Sequence, residues 1–241
     1  MRLLINLSST YQISSDYFNK YYFQSSLYSF LINTNFEDLH NNKSFKFFTF
    51  SDFFPSGDLL EGGTKSIIVS SPNKDFINTL HEKMLEKGYI YLLDKKIDIK
   101  SLKIYEISWL PKSYETGSPI VLQMDTKLNK YFSFRDNGTI TFFLRRIKEN
   151  AIKKYKTYYN LEDFSFEETI FDSLMFKKEI VINLQKSGKK FIMIGSMWYY
   201  LNKNYIPKKL SNFYKFILDS GLGEKNSLGF GFLNPRRIRA T

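Results

Sequence analysis

The sequence predicts an α+β protein built from two tandem ferredoxin-like domains. Two observations carry this prediction: strand and helix patterns follow one another as βαββαβ in the first half, and the same order returns in the second half. The length of 241 residues suits two domains of ordinary size. We expect residues 1–115 to form the first domain and residues 116–241 to form the second.

The elements of the first half follow from periodicity and helix caps. Arg2 to Ser8 alternates apolar and other residues, as a strand does, and Ser14 to Asp16 supplies cap residues for a helix. Gly88 closes a second helical segment. The predicted elements are strands over residues 2–8, 45–50, 65–71 and 102–110, and helices over residues 17–30 and 75–87. RNA-recognition modules use the same βαββαβ order.

The second half begins after an expected linker. Pro111 to Pro119 contains two prolines, a glycine and polar residues, which is typical of a connection between domains. A hairpin is expected around residues 186–189, and a helix that ends at Gly221 precedes the last strand. The predicted elements are strands over residues 120–124, 179–184, 191–194 and 228–233, and helices over residues 139–158 and 208–220. The duplication rests on element order, since no close sequence repeat accompanies it.

Composition narrows the classes of function. Thirty-five Lys and Arg face 24 Asp and Glu, so the formal charge is +11, which favours an anionic partner such as nucleic acid. Charge alone leaves a basic protein without such a partner equally open. The chain has no cysteine and only two histidines, so we expect neither a metal site nor a cofactor. No apolar run approaches the length of a membrane helix, and we expect a cytoplasmic protein without a membrane partner.

A glycine-rich run near the C-terminus is the most informative stretch. It reads Gly-Leu-Gly-Glu-Lys-Asn-Ser-Leu-Gly-Phe-Gly over residues 221–231. Glycines let a backbone approach a ligand closely, and the alternation after Leu228 predicts a strand with one bare face that can admit another chain. The order here is helix, loop, strand, whereas phosphate-cradling nucleotide loops follow a strand and open a helix. A mononucleotide site is therefore disfavoured.

This run resembles the C-terminal signature of the repeat-associated RNA-binding proteins of CRISPR systems, the RAMP superfamily. More narrowly, it is similar to the loop of the CRISPR-associated endoribonucleases that cut precursor CRISPR RNA within each repeat. The resemblance implies that CRISPR repeat RNA is the partner. The implied RNA-binding residues are Gly221, Gly223, Lys225, Asn226, Ser227, Gly229 and Gly231.

Basic residues on the long predicted helix are further candidates for phosphate contacts. Arg145 and Arg146 are the two that we single out. The alternative for any charged helix face is simple solvation. The same helix also carries Lys148, Lys153, Lys154 and Lys156.

Three residues of the first domain are candidates for catalysis. His40 lies in a polar connection, and an imidazole can give or take a proton near neutral pH. Tyr28 lies near the end of the first helix and Lys46 opens the next strand, so the three can converge. In order and spacing they resemble the Tyr, His and Lys positions of the CRISPR-associated endoribonucleases. Tyr28 as a core aromatic and Lys46 as a solvated strand end stay open as structural alternatives.

The same resemblance implies a reaction without a metal ion. In it, the 2′-hydroxyl attacks the adjacent phosphate and leaves a 2′,3′-cyclic phosphate and a 5′-hydroxyl. Tyr28 would orient or activate the hydroxyl, His40 would exchange protons, and Lys46 would stabilise charge on the phosphorane. Which of Tyr28 and His40 acts as the base stays open.

Two other functions remain open at this point. One is a catalytically inactive protein that holds repeat RNA, including a subunit of a CRISPR effector complex. The other is a basic RNA-recognition module with no preference for CRISPR repeats. Assembly into a homodimer is also left open.

Overall fold

The chain forms two compact units. The computed structural model describes residues 1–125, 130–136, 138–186 and 189–237. The N-terminal unit comprises Met1–Ile107 together with Ser227–Gly229, and the C-terminal unit comprises Ser108–Asn226 and the residues from Phe230 on. The division after Ile107 precedes the expected boundary at residue 115, and a short piece of the glycine-rich run belongs to the N-terminal unit.

The N-terminal unit is a ferredoxin-like fold with one additional edge strand. Its five strands are antiparallel in the order β2-β3-β1-β5-β4, and without β4 this is the ferredoxin-like order. The elements are β1 (Arg2–Ser8), α1 (Lys20–Ser29), β2 (Thr49–Phe50), β3 (Thr64–Ser70), α2 (Lys74–Lys87), β4 (Tyr89–Leu92) and β5 (Lys95–Tyr105).

Alternation and caps explain these elements. In β1, Leu3, Ile5 and Leu7 are fully buried while the residues between them are partly exposed, so one face of the sheet forms the core. Asn73 caps α2 by accepting a hydrogen bond from a backbone N–H, and Gly88 ends it in the left-handed conformation, as predicted.

The structure corrects four details of the first half. The first helix begins at Lys20 rather than at residue 17, because residues 15–17 form a 3₁₀ turn and Asn19 is the cap. The predicted strand over residues 45–50 is reduced to β2, since Phe47 has a positive φ of 53°. The sequence patterns did not predict β4. They placed the last strand of this half over residues 102–110, whereas β5 begins at Lys95 and ends at Tyr105.

The C-terminal unit repeats the fold. Its main sheet has the order β10-β11-β6-β12, and β7 pairs with β11. The elements are β6 (Ser113–Thr116), β7 (Ile120–Val121), β8 (Gln123–Asp125), β9 (Lys130–Tyr131), α3 (Ile140–Tyr159), β10 (Ser173–Lys186), β11 (Lys189–Asn202), α4 (Ser211–Ser220) and β12 (Leu233–Pro235). The hairpin is longer than predicted, and residues 187 and 188 of its expected tip lie outside the described residues.

The predicted linker was wrong. Within Pro111 to Pro119, β6 pairs with both β11 and β12 and so occupies a central place in the sheet. Tyr114 is fully buried there, and its hydroxyl donates to the carbonyl of Pro111 over 2.7 Å. Two prolines therefore bracket the first strand of the second fold, which the sequence analysis placed at residues 120–124.

The glycine-rich run also differs from the prediction. Gly221 ends α4 as expected, but residues 226–228 form a 3₁₀ turn, and the last strand begins only at Leu233. Across the described ranges, no helix is long and apolar enough to cross a membrane. In the same ranges, no three His, Cys, Asp or Glu side chains are grouped so that they could hold a metal ion.

Candidate active site

The three residues predicted to be catalytic lie together in the N-terminal unit. The rings of Tyr28 and His40 meet edge to face, with 5.0 Å between their centroids and 85° between their planes. The ammonium of Lys46 donates hydrogen bonds to the carbonyls of Leu39 and Asn42, on either side of His40. A phenol, an imidazole and an ammonium therefore share one neighbourhood, and their catalytic role stays a prediction.

A helix and a turn position the two rings. Tyr28 lies in the last turn of α1 and is half-buried, with its ring against Phe48 at 6.2 Å. Phe48 is fully buried and stacks on Phe76, so the tyrosine ring rests on the core. His40 follows a 3₁₀ turn, Glu37–Leu39, and is exposed. The helix thus fixes the phenol, while the turn presents the imidazole to solvent.

Hydrogen bonds and burial differ among the three groups. His40 Nδ1 lies 3.1 Å from Asn41 Oδ1, to which it donates when it carries a proton. Burial raises the pKa of Tyr28, and a hydrogen bond with the Ser227 side chain offsets part of this rise. Burial lowers the pKa of Lys46. The site therefore places a phenol with a raised pKa beside an exposed imidazole.

Three polar side chains on one face of α1 hold the segment Ser227–Gly229. Lys20, Gln24 and Tyr28 are spaced four apart, so they lie in one row along the helix. Lys20 Nζ donates to the carbonyl of Gly229 over 2.6 Å, and Gln24 Nε2 donates to that of Ser227 over 2.9 Å. Sequence reasoning missed Lys20 and Gln24. The sequence could have indicated them, because both residues are polar and lie at intervals of four before the predicted catalytic Tyr28.

Gly229 lies against the core of the N-terminal unit. Its φ is +81°, and a Cβ atom there would stand 2.1 Å from Cε2 of Phe50, a fully buried residue. Lys20, which contacts the Gly229 carbonyl, is also paired with Asp52 at 2.6 Å. A side chain at position 229 would therefore displace the segment from α1.

Within the C-terminal unit, the glycine-rich run closes on itself. Asn226 Nδ2 donates to the carbonyls of Leu222 and Phe230, over 3.0 and 2.9 Å. The backbone N–H of Leu222 donates to the carbonyl of Gly231 over 2.9 Å, and a Cβ atom on Gly231 would lie 1.8 Å from the Leu222 oxygen. Asn226, predicted to bind RNA, therefore also fastens the loop.

The predicted strand with one bare face was wrong. Residues 226–228 form a 3₁₀ turn instead, and all four glycines are buried against the protein's own chain. Contact of these glycines with RNA stays a prediction. The polar members of the run are more accessible: Lys225 is exposed, with a positive φ of 58°, while Asn226 and Ser227 are partly exposed.

The two arginines differ in their surroundings. Arg146 is half-buried, with Nη2 3.4 Å from Glu224 Oε1, so part of its charge is neutralised. Arg145 is exposed, and its guanidinium lies 5.3 Å from the ring centroid of Phe142. Of the two, Arg145 presents the more accessible charge for a phosphate.

Lys154 is buried, although the sequence indicated a solvated or phosphate-binding side chain. It is 2% exposed rather than solvated, and Nζ donates to Gly221 O at 2.6 Å, Gly223 O at 3.2 Å and Asn226 Oδ1 at 2.8 Å. Burial lowers the pKa of Lys154 to about 7, and the charge of Glu224 opposes this. The sequence could have indicated this burial, because Lys154 lies on the apolar face of α3 together with Ala151 and Tyr155.

These features define the fold of the protein as two ferredoxin-like units in tandem, with a glycine-rich run before the last strand. Solved structures share this fold. A solved structure described as a RAMP protein binding different RNA substrates has a TM-score of 0.69 at 20% identity, over 98% of this chain and 100% of that one.

The family follows from three comparisons. Residues 106–235 match the family model of CRISPR associated protein Cas6, C-terminal. CRISPR-associated endoribonuclease Cas6 2 of Methanocaldococcus jannaschii is 38% identical, over 98% of this chain and 99% of its own length. A solved structure of a CRISPR associated protein Cas6 has a TM-score of 0.71 at 25% identity, over 98% of this chain and 99% of that one. The chain belongs to the Cas6 family.

Proposed function

We propose that this chain is a metal-independent endoribonuclease that cuts precursor CRISPR RNA within its repeats. The observation that carries the proposal is the contact of Tyr28 and His40 at 5.0 Å between ring centroids, with Lys46 bound to the His40 turn. The 38% identical relative is named a CRISPR-associated endoribonuclease, which supports the same activity here. The structural likeness to a RAMP protein binding different RNA substrates supports RNA as the partner.

RNA carries its own nucleophile, so the protein's task is proton transfer and charge neutralisation. The 2′-oxygen forms a bond to the adjacent phosphorus, and the bond from phosphorus to the 5′-oxygen breaks. A base removes the proton of the 2′-hydroxyl, and an acid protonates the leaving 5′-oxygen. The products are a 2′,3′-cyclic phosphate and a 5′-hydroxyl, and the balance requires neither water nor a metal ion.

We assign the role of base to His40. It is exposed, its ring contacts Tyr28, and an imidazole can accept a proton near neutral pH. Tyr28 stays protonated at neutral pH because burial raises the pKa of its phenol. Tyr28 is therefore the donor that orients the reacting group.

Lys46 has two tasks in this proposal. Its ammonium bonds to the carbonyls of Leu39 and Asn42 and so holds the His40 turn. To neutralise the phosphorane, it exchanges one of these acceptors for a phosphate oxygen.

The direct test is incubation of the purified chain with its CRISPR repeat RNA in EDTA. We expect cleavage within the repeat, a 2′,3′-cyclic phosphate on one product and a 5′-hydroxyl on the other, measured by mass spectrometry. A 2′-deoxy substitution at the cut should abolish cleavage and spare binding. RNA that is bound but left intact would contradict the enzyme and identify a repeat-binding protein, the form suited to a CRISPR effector complex.

A variant pair tests the site itself. His40→Ala should lower the cleavage rate by ~10²-fold or more with nearly unchanged affinity, the size expected for a lost proton-transfer group. His81→Ala is the matched control, because His81 lies on α2 and is partly exposed. Equal rates for the two variants would remove His40 from the mechanism.

A further inference from the structure

The edge hairpin of the N-terminal sheet carries a surface of tyrosines and lysines. This tyrosine–lysine surface consists of Tyr11, Lys87, Tyr89, Tyr91 and Lys96. Tyr11 and Tyr91 are each 45% exposed, both lysines are exposed, and Tyr89 is partly exposed. Large aromatic side chains usually lie in the core, so this concentration on one edge calls for an explanation.

The lysines stand directly beside the aromatic rings. Lys87 Nζ lies 5.3 Å from the ring centroid of Tyr89 and 5.8 Å from that of Tyr91, and Lys96 Nζ lies 4.3 Å from that of Tyr89. Tyr89 and Tyr91 themselves meet edge to face at 5.4 Å. Each ring therefore has an ammonium within reach of any group that stacks on it.

The strand pairing holds this arrangement in place. Tyr91 is the cross-strand partner of Lys96 in the β4–β5 hairpin. The Tyr11 hydroxyl donates to the carbonyl of Lys96 over 3.1 Å, which brings the loop before α1 to the hairpin. The neighbouring residues Ile90 and Leu92 are fully buried, so the tyrosines cannot turn inward without unfolding the edge.

Charge favours an anionic occupant. From Lys87 to Lys103 the sequence has five lysines and two aspartates, Asp94 and Asp98. Asp94 is paired with Lys95 at 3.4 Å. Rings that accept stacked bases, with ammonium groups that accept phosphates, are the two components of single-strand nucleic-acid recognition.

We infer that the tyrosine–lysine surface binds a single-stranded stretch of the RNA that the proposed active site cuts. One base stacks on Tyr91, and the phosphates next to it contact Lys87 and Lys96. The inference rests on the proposed function for the identity of the RNA. The surface requires only an unpaired segment and no particular sequence, because every base offers a face for stacking.

Fluorescence anisotropy with labelled repeat RNA, made uncleavable by a 2′-deoxy substitution, tests this surface. The double variant Tyr91→Ala/Lys96→Ala should lose about 10-fold or more in affinity, since one stacked base contributes roughly 1–3 kcal/mol. Its plot of log affinity against log salt should flatten by about one unit. Tyr91→Phe should keep the affinity, because the ring remains.

A second exposed pair of the same kind supplies the control. Lys177 Nζ lies 5.2 Å from the ring centroid of Tyr199, a residue 51% exposed in the C-terminal unit. Tyr199→Ala/Lys177→Ala should leave both affinity and salt slope unchanged. If the two double variants bind alike, the inference is wrong. Displacement of the RNA by polyglutamate of equal charge would point to an acidic peptide and also overturn it.

The same preparation separates this inference from the proposed function. Cleavage of unmodified repeat RNA by the parent chain is measured in parallel. If the parent chain cuts the RNA and the double variant Tyr91→Ala/Lys96→Ala binds normally, only the inference about the tyrosine–lysine surface is refuted. If the parent chain does not cut the RNA and this variant binds weakly, the inference about the surface is upheld and the proposed enzymatic function is refuted.

Discussion

The variant Gly229→Ala tests whether the segment Ser227–Gly229 can lie against α1 only because residue 229 has no side chain. In the structure, Gly229 has a φ of +81°, and a Cβ atom would lie 2.1 Å from Cε2 and 2.4 Å from Cδ2 of Phe50. Phe50 is fully buried, so its ring has little room to retreat. We expect the segment itself to move away.

The magnitude follows from the contacts that this movement breaks. An alanine in the left-handed region costs about 1–2 kcal/mol. The hydrogen bond from the Lys20 ammonium to the Gly229 carbonyl contributes about 1.5–3 kcal/mol, and the bond from Gln24 to Ser227 contributes about 1 kcal/mol. The expected loss is therefore roughly 3.5–6 kcal/mol of local stability. Tyr28 also loses its hydrogen bond with Ser227, so cleavage should slow.

Gly57→Ala is the matched control within the same unit. Gly57 has a φ of +87°, and no heavy atom lies within 4 Å of a Cβ atom built there. It should cost only the backbone strain, about 1–2 kcal/mol. Hydrogen exchange of the α1 amides, read by mass spectrometry, compares the local opening free energies of both variants.

Equal protection of α1 in the two variants would refute this reasoning. It would mean that Phe50 or the backbone absorbs the added methyl group without releasing the segment. A faster opening of α1 in Gly229→Ala, with unchanged cleavage, would instead separate the hold on the segment from the chemistry.

Three further predictions concern single side chains. Tyr28→Phe keeps the ring contact with His40 but removes the hydroxyl, so we expect the cleavage rate in single-turnover assays to fall about 10-fold or more at unchanged affinity; an unchanged rate would exclude the hydroxyl from the reaction. Lys225→Ala should weaken RNA binding and flatten the salt dependence by about one unit, which binding isotherms at several salt concentrations measure. Because the pKa of Lys154 falls from 10.5 in the unfolded chain to about 7 in the native state, its stability contribution is complete above pH 10.5, falls as the pH falls from 10.5 to 7, and is lost below pH 7. In urea unfolding between pH 7 and about 9, this lysine should make the free energy of unfolding of the parent protein rise with pH, by at most about 1.4 kcal/mol per pH unit. Lys154→Met should lack this rise, and an identical slope in both proteins would contradict the prediction.

The fold was predictable because periodicity and caps are local properties. Alternation in β1 and the Gly88 cap of α2 each involve residues close together in sequence, and the structure has these elements close to where the patterns placed them. Ser113–Thr116 was missed because a four-residue strand between prolines carries the composition of a loop. Only its pairing with strands distant in sequence makes it a strand.

The site was predictable in part. The proximity of Tyr28, His40 and Lys46 follows from their places at the end of a helix, in the connection after it and before the next strand. Lys20 and Gln24 were missed because their partners lie about 200 residues further along the chain. Lys154 was misjudged because a helical lysine is solvated in most proteins, and only the carbonyls of the loop make its burial tolerable.

By itself, the sequence determined the secondary-structure order, the basic charge and the residue types of the candidate site, since these depend on neighbours along the chain. Tertiary structure decided which groups touch: it buried the glycines of residues 221–231 against the protein, enclosed Lys154, and set Ser227 beside Tyr28. The physical reason is that burial and hydrogen bonding act between atoms close in space, whatever their separation in sequence.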